Sequence, residues 1–142
     1  MYRVLLPVDH NEERAKQAAR DVMGLPRDPE DVEVVALNVE EPYDVGDGTG
    51  RVSTEELFDE TDYPESVGTV VEMLTDEGFT VDKRRVHGAA TEEILSMADE
   101  VGADLIAMSG RKRSPSGKVL FGSVTQSVLL DATRPVMVSS QN

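Results

Sequence analysis

Short apolar runs alternate with amphipathic stretches along this chain, and the alternation predicts strands that alternate with helices. The apolar runs indicate strands over residues 2–8, 32–39, 79–86, 104–109 and 135–139. Apolar residues at helical spacing indicate helices over residues 13–23, between Pro64 and Gly78, from Thr91 to just before Gly102, and over residues 122–132. This order predicts an α/β fold: a doubly wound, five-stranded, mostly parallel sheet in the order 3-2-1-4-5, with right-handed crossovers and helices on both faces.

Three of the predicted strands carry information about their positions in the sheet. Residues 105–108 are apolar in succession, which is typical of a strand buried on both faces. The cations Lys83–Arg85 interrupt the strand at 79–86, which favours an edge position. The last strand, Pro135–Ser139, is also apolar although a terminal strand normally lies at an edge. We therefore expect a second copy of the chain to cover it, as in a homodimer.

The stretch from Glu40 to Thr54 is rich in Gly, Asp and Pro and has no periodicity, so we predict a mobile loop there. Its Gly46–Gly50 segment does not join a strand directly to a helix and lacks the spacing of a dinucleotide fingerprint. A flexible linker is the better interpretation of this segment, and a lid over a bound ligand is the alternative for the stretch. Residues 55–60 are predicted to form a helical turn.

Length and composition bound the class of protein. We expect the 142 residues to form one domain over residues 1–142. The chain has no apolar run of the about 18 residues that a membrane span needs, and Asp9 and Glu12 interrupt any signal-peptide core. We therefore expect a cytoplasmic protein without a membrane partner. The absence of cysteine excludes disulfides and thiolate sites, and the two histidines are too few for a histidine-only metal cluster.

The charge is strongly negative, with 28 Asp and Glu against 14 Lys and Arg and a formal net charge of -14. Such a domain repels itself at about 0.1 M salt, where the Debye length is about 10 Å, and much less at about 1 M salt, where it is about 3 Å. The composition resembles that of proteins from salt-loving archaea. Because most of the surface repels phosphate, we expect no nucleic-acid partner.

One segment after the buried strand reverses the sign of the charge. It leads to Gly122-Ser123, where a helix is predicted to begin, and a strand, a basic loop and a helix N-terminus in that order form an anion site. Solvated cations that only offset the surrounding acidity are the alternative. Asp9 likewise follows a strand, either as part of a ligand site or as the N-terminal cap of the first helix. The segment contains four cations and no acid: Arg111, Lys112, Arg113 and Lys118.

Five segments spread over essentially the whole chain share one resemblance: VLLPVD, LNV, VHGAATEEIL, GADLIAMSG and FGSVTQSVLLDATRPVMV. With these segments the chain resembles the universal stress protein family. The signature of the nucleotide-binding branch of that family is G-x2-G-x9-G-[ST]. Gly110 matches its first glycine and Gly122-Ser123 its final pair. Arg113 stands in place of the second glycine, and the interval from Gly110 to Gly122 is one residue shorter than the signature requires.

The resemblance implies a site for ATP. The end of the first strand would line the adenosine pocket, Val39 would contact adenine through its main chain, Ser109 and Gly110 would lie by the ribose, and the last helix start would hold the phosphates. Arg113 would either block the site or replace a backbone contact to phosphate with a bidentate guanidinium. The neighbouring cations favour the second alternative. Without the resemblance, Val8 and Val39 would be interpreted as core residues. The implied residues are Pro7, Val8, Asp9, Val39, Ser109, Gly110, Arg111, Arg113, Gly117, Gly122, Ser123 and Val124.

These observations support one leading hypothesis and two alternatives. The leading hypothesis is a homodimeric stress-response protein that binds ATP or a related adenine nucleotide, with any Mg²⁺ held through the phosphates and no metal site of the protein's own. The first alternative is a dimeric interaction module of the same fold without nucleotide. The second is a slow ATPase, although G-x4-G-K-[ST] is absent. His87 could serve it as a base, but a solvated turn histidine is the simpler interpretation.

Overall fold

The computed structural model describes residues 1–41, 44–45, 52–53, 62–112 and 121–141 of the chain. Within these ranges the strands are β1 Tyr2–Pro7, β2 Val32–Glu40, β3 Asp44–Val45, β4 Val52–Ser53, β5 Thr80–His87, β6 Leu105–Lys112 and β7 Val136–Gln141. The α-helices are α1 Glu12–Met23, α2 Glu65–Asp76, α3 Ala90–Val101 and α4 Ser123–Asp131, and a short 3-10 helix covers Pro29–Asp31.

The five longer strands form one sheet in the order β5-β2-β1-β6-β7, and each neighbouring pair runs parallel. Counted along the chain, these strands are in the order 3-2-1-4-5, so the predicted topology is confirmed. β1 lies in the middle, where Leu5 pairs with Val35 of β2 and with Ile106 of β6. The predicted edge position of β5 and the predicted interior position of β6 are also confirmed.

Helices cover both faces of the sheet, as the doubly wound prediction requires. α1 and α2 pack on one face against Val4 and Leu6, and α3 and α4 pack on the other against Leu5 and Ile106. The apolar spacing of Val124, Val128 and Leu129 predicts one inward face for α4, and Leu129 differs from this prediction because it is 39% exposed. The inward-facing residues predicted for the first three helices that are buried are Ala15, Ala18, Ala19, Val22, Val67, Val70, Leu74, Ile94, Met97 and Ala98.

Local chemistry explains where the helices begin and end. Asn11 is the N-cap of α1, and its Oδ1 accepts the Arg14 N–H at 2.9 Å. Gly102 ends α3 with a φ of 64°, in the left-handed region that glycine adopts without strain. No helix in the described part of the chain is both long and apolar enough to span a bilayer.

The prediction of an irregular loop over residues 40–54 is wrong at two places. Asp44–Val45 and Val52–Ser53 pair with each other as the antiparallel strands β3 and β4. Two residues are too few to produce the periodicity on which a strand prediction depends. The Gly46–Gly50 segment and the helical turn predicted at 55–60 lie outside the described residues, so the linker and lid interpretations stay predictions.

The basic loop, which the sequence predicts from Gly110 to Phe121, begins later in the structure. β6 continues through Gly110 as far as Lys112, with a register shift against β7 between Ser109 and Lys112. The glycine and cations that suggested a loop are therefore partly in a strand, where extended backbone accommodates them beside an irregular pairing. The rest of the predicted loop, residues 113–120, lies outside the described part of the chain.

A buried amide joins the ends of three neighbouring strands. Asn38 of β2 is 1% exposed, and its Nδ2 donates to the carbonyl oxygen of Val8 at 3.0 Å. Its Oδ1 accepts from Nε of Arg85, on the edge strand, at 2.9 Å. Arg85, whose side chain is 9% exposed, also donates from Nη2 to Oε2 of Glu40 at 3.1 Å. Asn38 therefore connects the edge strand to the centre of the sheet at its carboxyl end.

We expect Asn38→Leu to lower the free energy of unfolding by about 1–3 kcal/mol, because it leaves the buried Val8 carbonyl without its amide donor and removes one bond from a nearly buried guanidinium. Urea unfolding with an unchanged slope measures this loss. Thr75→Val is the matched control, because it removes a bond of 2.8 Å from an exposed Thr75 hydroxyl to Val71. An equal loss in the two variants contradicts a special role for the buried amide.

Candidate functional site

The chain changes direction at β1, and this is where an open parallel sheet forms a crevice. The connection that leaves β1 leads to β2 on one side, whereas β6 lies on the other side. In sheets of this kind ligands bind beyond the carboxyl ends of the strands at such a point. The described residues surround a cavity of about 320 Å³ there. This volume lies within the range of about 300–1,000 Å³ that is usual for small-molecule sites.

The structure brings most of the predicted site residues together around this cavity. Gly110 is buried in β6 and is not among the lining residues. Arg111 lies in β6, and Arg113 and Gly117 lie outside the described residues. The role of all of these residues in binding stays a prediction. The predicted residues that line the cavity are Pro7, Val8, Asp9, Val39, Ser109, Gly122, Ser123 and Val124.

Sequence reasoning did not place eight further lining residues in a site. The apolar pattern predicts Ala15 and Ile94 on the buried faces of helices and Met108 in a buried strand. Such a pattern does not distinguish a core from the wall of a pocket. Two polar residues had a usable signal. Glu41 follows directly after β2, much as Asp9 lies two residues after β1, and Arg14 lies in the first turn of α1, which follows Asp9. The eight residues are Arg14, Ala15, Leu37, Glu41, Ala90, Ile94, Met108 and Thr125.

Asp9 is held in place from two sides. Its Oδ1 accepts the backbone N–H of Asn11 at 2.9 Å, and its Oδ2 accepts from Nη2 of Arg14 at 2.9 Å. Its carbonyl oxygen accepts a hydrogen bond from the hydroxyl of Ser66 on α2. Asn11, not Asp9, is the cap of α1. Asp9 is therefore a fixed carboxylate at the cavity, and the Arg14 guanidinium offsets its charge.

The N-terminus of α4 forms one end of the cavity. Gly122 is its N-cap and offers no side-chain cap, and the first turn contains no acidic residue. By contrast, α1 begins with the Asn11 cap followed by Glu12 and Glu13. The first N–H groups of a helix have no partner within the helix and carry a partial positive charge. An anion at Gly122 and Ser123 would accept hydrogen bonds from these N–H groups and would also offset the partial positive charge.

The N-terminus of α3 borders the cavity as well, but a carboxylate already serves it. Oε1 of Glu41 accepts the backbone N–H of Ala90 at 3.2 Å, and the first turn adds Glu92 and Glu93. The N-cap residue, Ala89, makes no side-chain hydrogen bond to the helix. The two helix starts at the cavity therefore differ in sign, since α3 carries acids and α4 does not.

Apolar side chains form the walls between these polar groups. Val8, Leu37, Ile94 and Met108 are buried and line the cavity. The arrangement suits a ligand that has an apolar or flat body and an anionic group. His87 ends β5, opposite Glu40, and is not among the described residues that line the cavity. The described residues contain no group of three or more His, Asp or Glu placed to hold a metal ion.

A model of the universal stress protein family matches residues 1–140 of this chain. A universal stress protein of Mycolicibacterium smegmatis is 42% identical over 65 residues, which cover 45% of this chain and 50% of that relative. One from Methanocaldococcus jannaschii is 37% identical over 65 residues, 46% of this chain and 40% of the relative. These two matches thus span half or less of the relatives' length. A second protein of Methanocaldococcus jannaschii is 27% identical over 141 residues, 96% of this chain and 80% of the relative.

Solved structures share the fold over nearly the whole chain. A universal stress protein from Archaeoglobus fulgidus has a TM-score of 0.72 at 28% identity, covering 97% of this chain and 98% of its own. One from Archaeoglobus fulgidus in complex with dAMP has a TM-score of 0.68 at 23% identity, with 97% of each chain covered. An Arabidopsis thaliana family protein with AMP bound has a TM-score of 0.68 at 14% identity, covering 100% of this chain and 93% of its own.

The family model covers nearly every residue, and the fold agrees with that of the solved universal stress proteins. The chain belongs to the universal stress protein family.

Proposed function

We propose that this protein binds ATP or a related adenine nucleotide in the cavity at the carboxyl end of β1, and that it does so as a stress-response protein. The observation that carries the proposal is the start of α4, which lacks both a capping side chain and an acidic first turn where it borders that cavity. A helix start of this kind is suited to phosphate. The neighbours solved with dAMP and with AMP bound share the fold and support the choice of adenine nucleotides.

Each part of a nucleotide has a matching part of the cavity in this proposal. The apolar walls at Leu37 and Val39 suit the flat faces of a base, and the fixed Asp9 carboxylate suits the ribose hydroxyls as an acceptor. Ser109 lies beside the ribose. Gly122 and Ser123 hold phosphate through the first amides of α4.

In this proposal, basic residues near the end of β6 contact the phosphates of the nucleotide. Arg111 follows Gly110 in β6, and Arg113 replaces the second glycine of the family signature. A guanidinium can replace a backbone contact to phosphate with two hydrogen bonds of its own. Gly117 supplies backbone freedom in the shortened segment. Any Mg²⁺ is bound through the phosphates, as is usual for this ion.

A protein of the same fold that binds no nucleotide and acts as an interaction module is the second candidate. Arg113 and the missing residue before Gly122 favour it, because both depart from the nucleotide-binding signature. Mass analysis of the small molecules released on unfolding distinguishes the two candidates, since a co-purified adenine nucleotide excludes the second. Slow ATP hydrolysis needs a base that activates water. Phosphate release that is seen in wild type and lost in His87→Ala would identify His87 as that base.

We expect Ser123→Asp to weaken nucleotide binding by about tenfold or more while leaving the fold as stable or more stable. A carboxylate in the first turn of α4 satisfies the helix start, by about 0.3–1 kcal/mol, and repels the phosphate that would otherwise bind there. Titration with a fluorescent ATP analogue measures the affinity, and thermal unfolding without nucleotide measures the stability.

Ser123→Asn is the matched control, because it introduces a side chain of the same size without the charge. The difference in affinity between the two variants reports the electrostatic part of the effect. Equal affinities of the Asp and Asn variants contradict a phosphate at the start of α4. If wild-type protein fails to bind the analogue at millimolar concentration, adenine nucleotide binding itself is wrong.

We also propose that the protein is a homodimer joined through Pro135–Ser139. β7 lies at the end of the strand order, so its outer edge has no neighbouring strand among the described residues. Three of the large apolar side chains that the described residues expose lie on α4 or at the residue before its N-cap, with exposed fractions of 45% for Phe121, 39% for Leu129 and 78% for Leu130. An open edge and an exposed apolar surface together favour association.

We expect Val138→Pro to convert the dimer into a folded monomer. The Ile106 N–H donates to the Pro135 carbonyl at 3.0 Å, so residues of that parity face β6 and the Val138 N–H faces the open edge. Sedimentation velocity over a range of concentrations measures the association state. Met137→Pro is the matched control, because it removes an N–H that faces β6 and should instead destabilise the sheet. A dimer that survives Val138→Pro contradicts pairing through β7.

The acidic composition leads us to propose a cytoplasm of high salt as the working environment. The formal charge of -14 produces self-repulsion that concentrated salt screens. We expect the melting temperature in KCl to rise by a few degrees between low and molar salt, which corresponds to about 1 kcal/mol. A melting temperature that is constant or falls as KCl is added contradicts adaptation to salt.

A further inference from the structure

Glu41 borders the cavity at the end of β2, and we infer that its carboxylate selects adenine over guanine in the bound nucleotide. This inference rests on the proposed nucleotide binding and adds to it the identity of the base. Glu41 follows the last residue of β2 and lines the cavity together with Val39 and Ala90. It was not among the residues that the family resemblance implied.

The strand order separates the two ends of the cavity. β2 and β6 lie on opposite sides of β1. Neighbouring strands are about 4.8 Å apart, so the lining residues that come from β2 and from β6 are separated by about 10 Å. Glu41 belongs to the β2 side, and Ser109 and Gly122 belong to the β6 side. A nucleotide with its phosphate at α4 therefore places its base toward β2.

The reverse orientation is electrostatically unfavourable. A phosphate at the start of α3 would meet the Glu41 carboxylate, which already accepts the Ala90 N–H, and the two acids of the first turn, Glu92 and Glu93. Like charges this close raise the energy of the complex. The first turn of α4 contains no acid. The phosphate thus binds at α4, and Glu41 is left beside the base.

The chemistry of a carboxylate then distinguishes the two purines. Glu41 is exposed; the hydrogen bond from Ala90 to its Oε1 orients the carboxylate at the cavity wall, and no partner of Oε2 is found among the described residues. An ionised carboxylate only accepts hydrogen bonds. At the 6 position adenine has an amino group, a donor, and guanine has a carbonyl oxygen, an acceptor. The donors of guanine, N1–H and the 2-amino group, are at the next two positions of the ring, so the selection requires Oε2 to face the 6 position. Oε2 of Glu41 accepts a hydrogen bond from the amino group of adenine and repels the carbonyl oxygen of guanine.

The other side chains at this end do not make the distinction. Leu37, Val39 and Ile94 offer only apolar surface, which packs against either purine equally well. A pocket built to hydrogen-bond one ligand rejects an analogue that lacks the matching group much more strongly than apolar packing does. Glu41 is therefore the side chain at the base end with the chemistry for selection.

Glu41→Gln tests the inference. The amide oxygen of glutamine can take over the bond from Ala90, which turns the amide NH₂, a donor, toward the base. Dissociation constants for ATP and GTP, measured by calorimetry on wild type and variant, give the preference for adenine. We expect that preference to fall by at least about tenfold, because a hydrogen bond to a charged acceptor is lost for ATP and a repulsion is removed for GTP.

Glu77→Gln is the matched control, because it makes the same change of charge at the C-terminal end of α2, and we expect it to leave the preference unchanged. A ligand analogue supplies a test that needs no variant. Purine riboside 5′-triphosphate lacks the amino group of ATP, and we expect wild-type protein to bind it about tenfold more weakly. In Glu41→Gln that difference between ATP and the analogue should largely disappear.

The outcomes separate the inference from the proposed function. If wild type binds ATP and Glu41→Gln keeps the same preference over GTP, the role of Glu41 is wrong while nucleotide binding stands. Equal affinity of wild type for ATP and the purine riboside triphosphate also overturns that role. If wild type binds neither ATP nor GTP at millimolar concentration, the proposed function is wrong and the inference falls with it.

Discussion

Parallel pairing of β1 on both of its edges is the constraint on which the rest of the structure depends. Each parallel connection needs a crossover, and the helices of these crossovers pack on opposite faces of the sheet. At the carboxyl end of β1 the connections diverge, and the space between them is the cavity. The bond from Asn38 to the Val8 carbonyl then fixes β2 against the end of β1 where that cavity opens. The cavity is therefore a consequence of topology, and side chains determine only what it can bind.

The helix starts at this edge of the sheet differ in whether a side chain of the chain itself accepts a hydrogen bond from their unpaired backbone amides. α1 and α3 are served from within the chain, by Asn11 in one case and by Glu41 in the other. The start of α4, at Gly122, has neither a side-chain cap nor an acidic first turn. In a protein of this negative charge, acids are abundant enough that a first turn without one is informative. The contrast gives the cavity a direction, because acids offset the partial positive charge of the helix start at α3 and none does so in the first turn of α4.

The sequence predicts the fold well because the relevant signals are local. Apolar period, caps and the cations of the edge strand each act over a few residues, and they were sufficient for the order of elements along the chain, the edge position of β5 and most buried helix faces. Contacts between distant residues were not predictable in this way. Arg85 and Asn38 are 47 residues apart, and Glu41 and Ala90 are 49 residues apart. Asp9 could be placed at the site from its position after a strand, whereas its pairing with Arg14 needed the geometry of the helix start. The two-residue strands β3 and β4 are too short for any periodic signal.

Arg85 shows how the position of a cation changes its meaning. In the sequence it marks an edge strand, where an exposed charge prevents association. In the structure its side chain is 9% exposed, and it pairs with Glu40 at the carboxyl end of the sheet. Arg14 pairs with Asp9 in the same region. Asp9 at the cavity and Glu40 at the end of β2 are thus each paired with a guanidinium group, while Glu41 has no cationic partner among the described residues. The acids at the start of α3 therefore lie on the β2 side of the cavity, whereas the first turn of α4, on the β6 side, contains none.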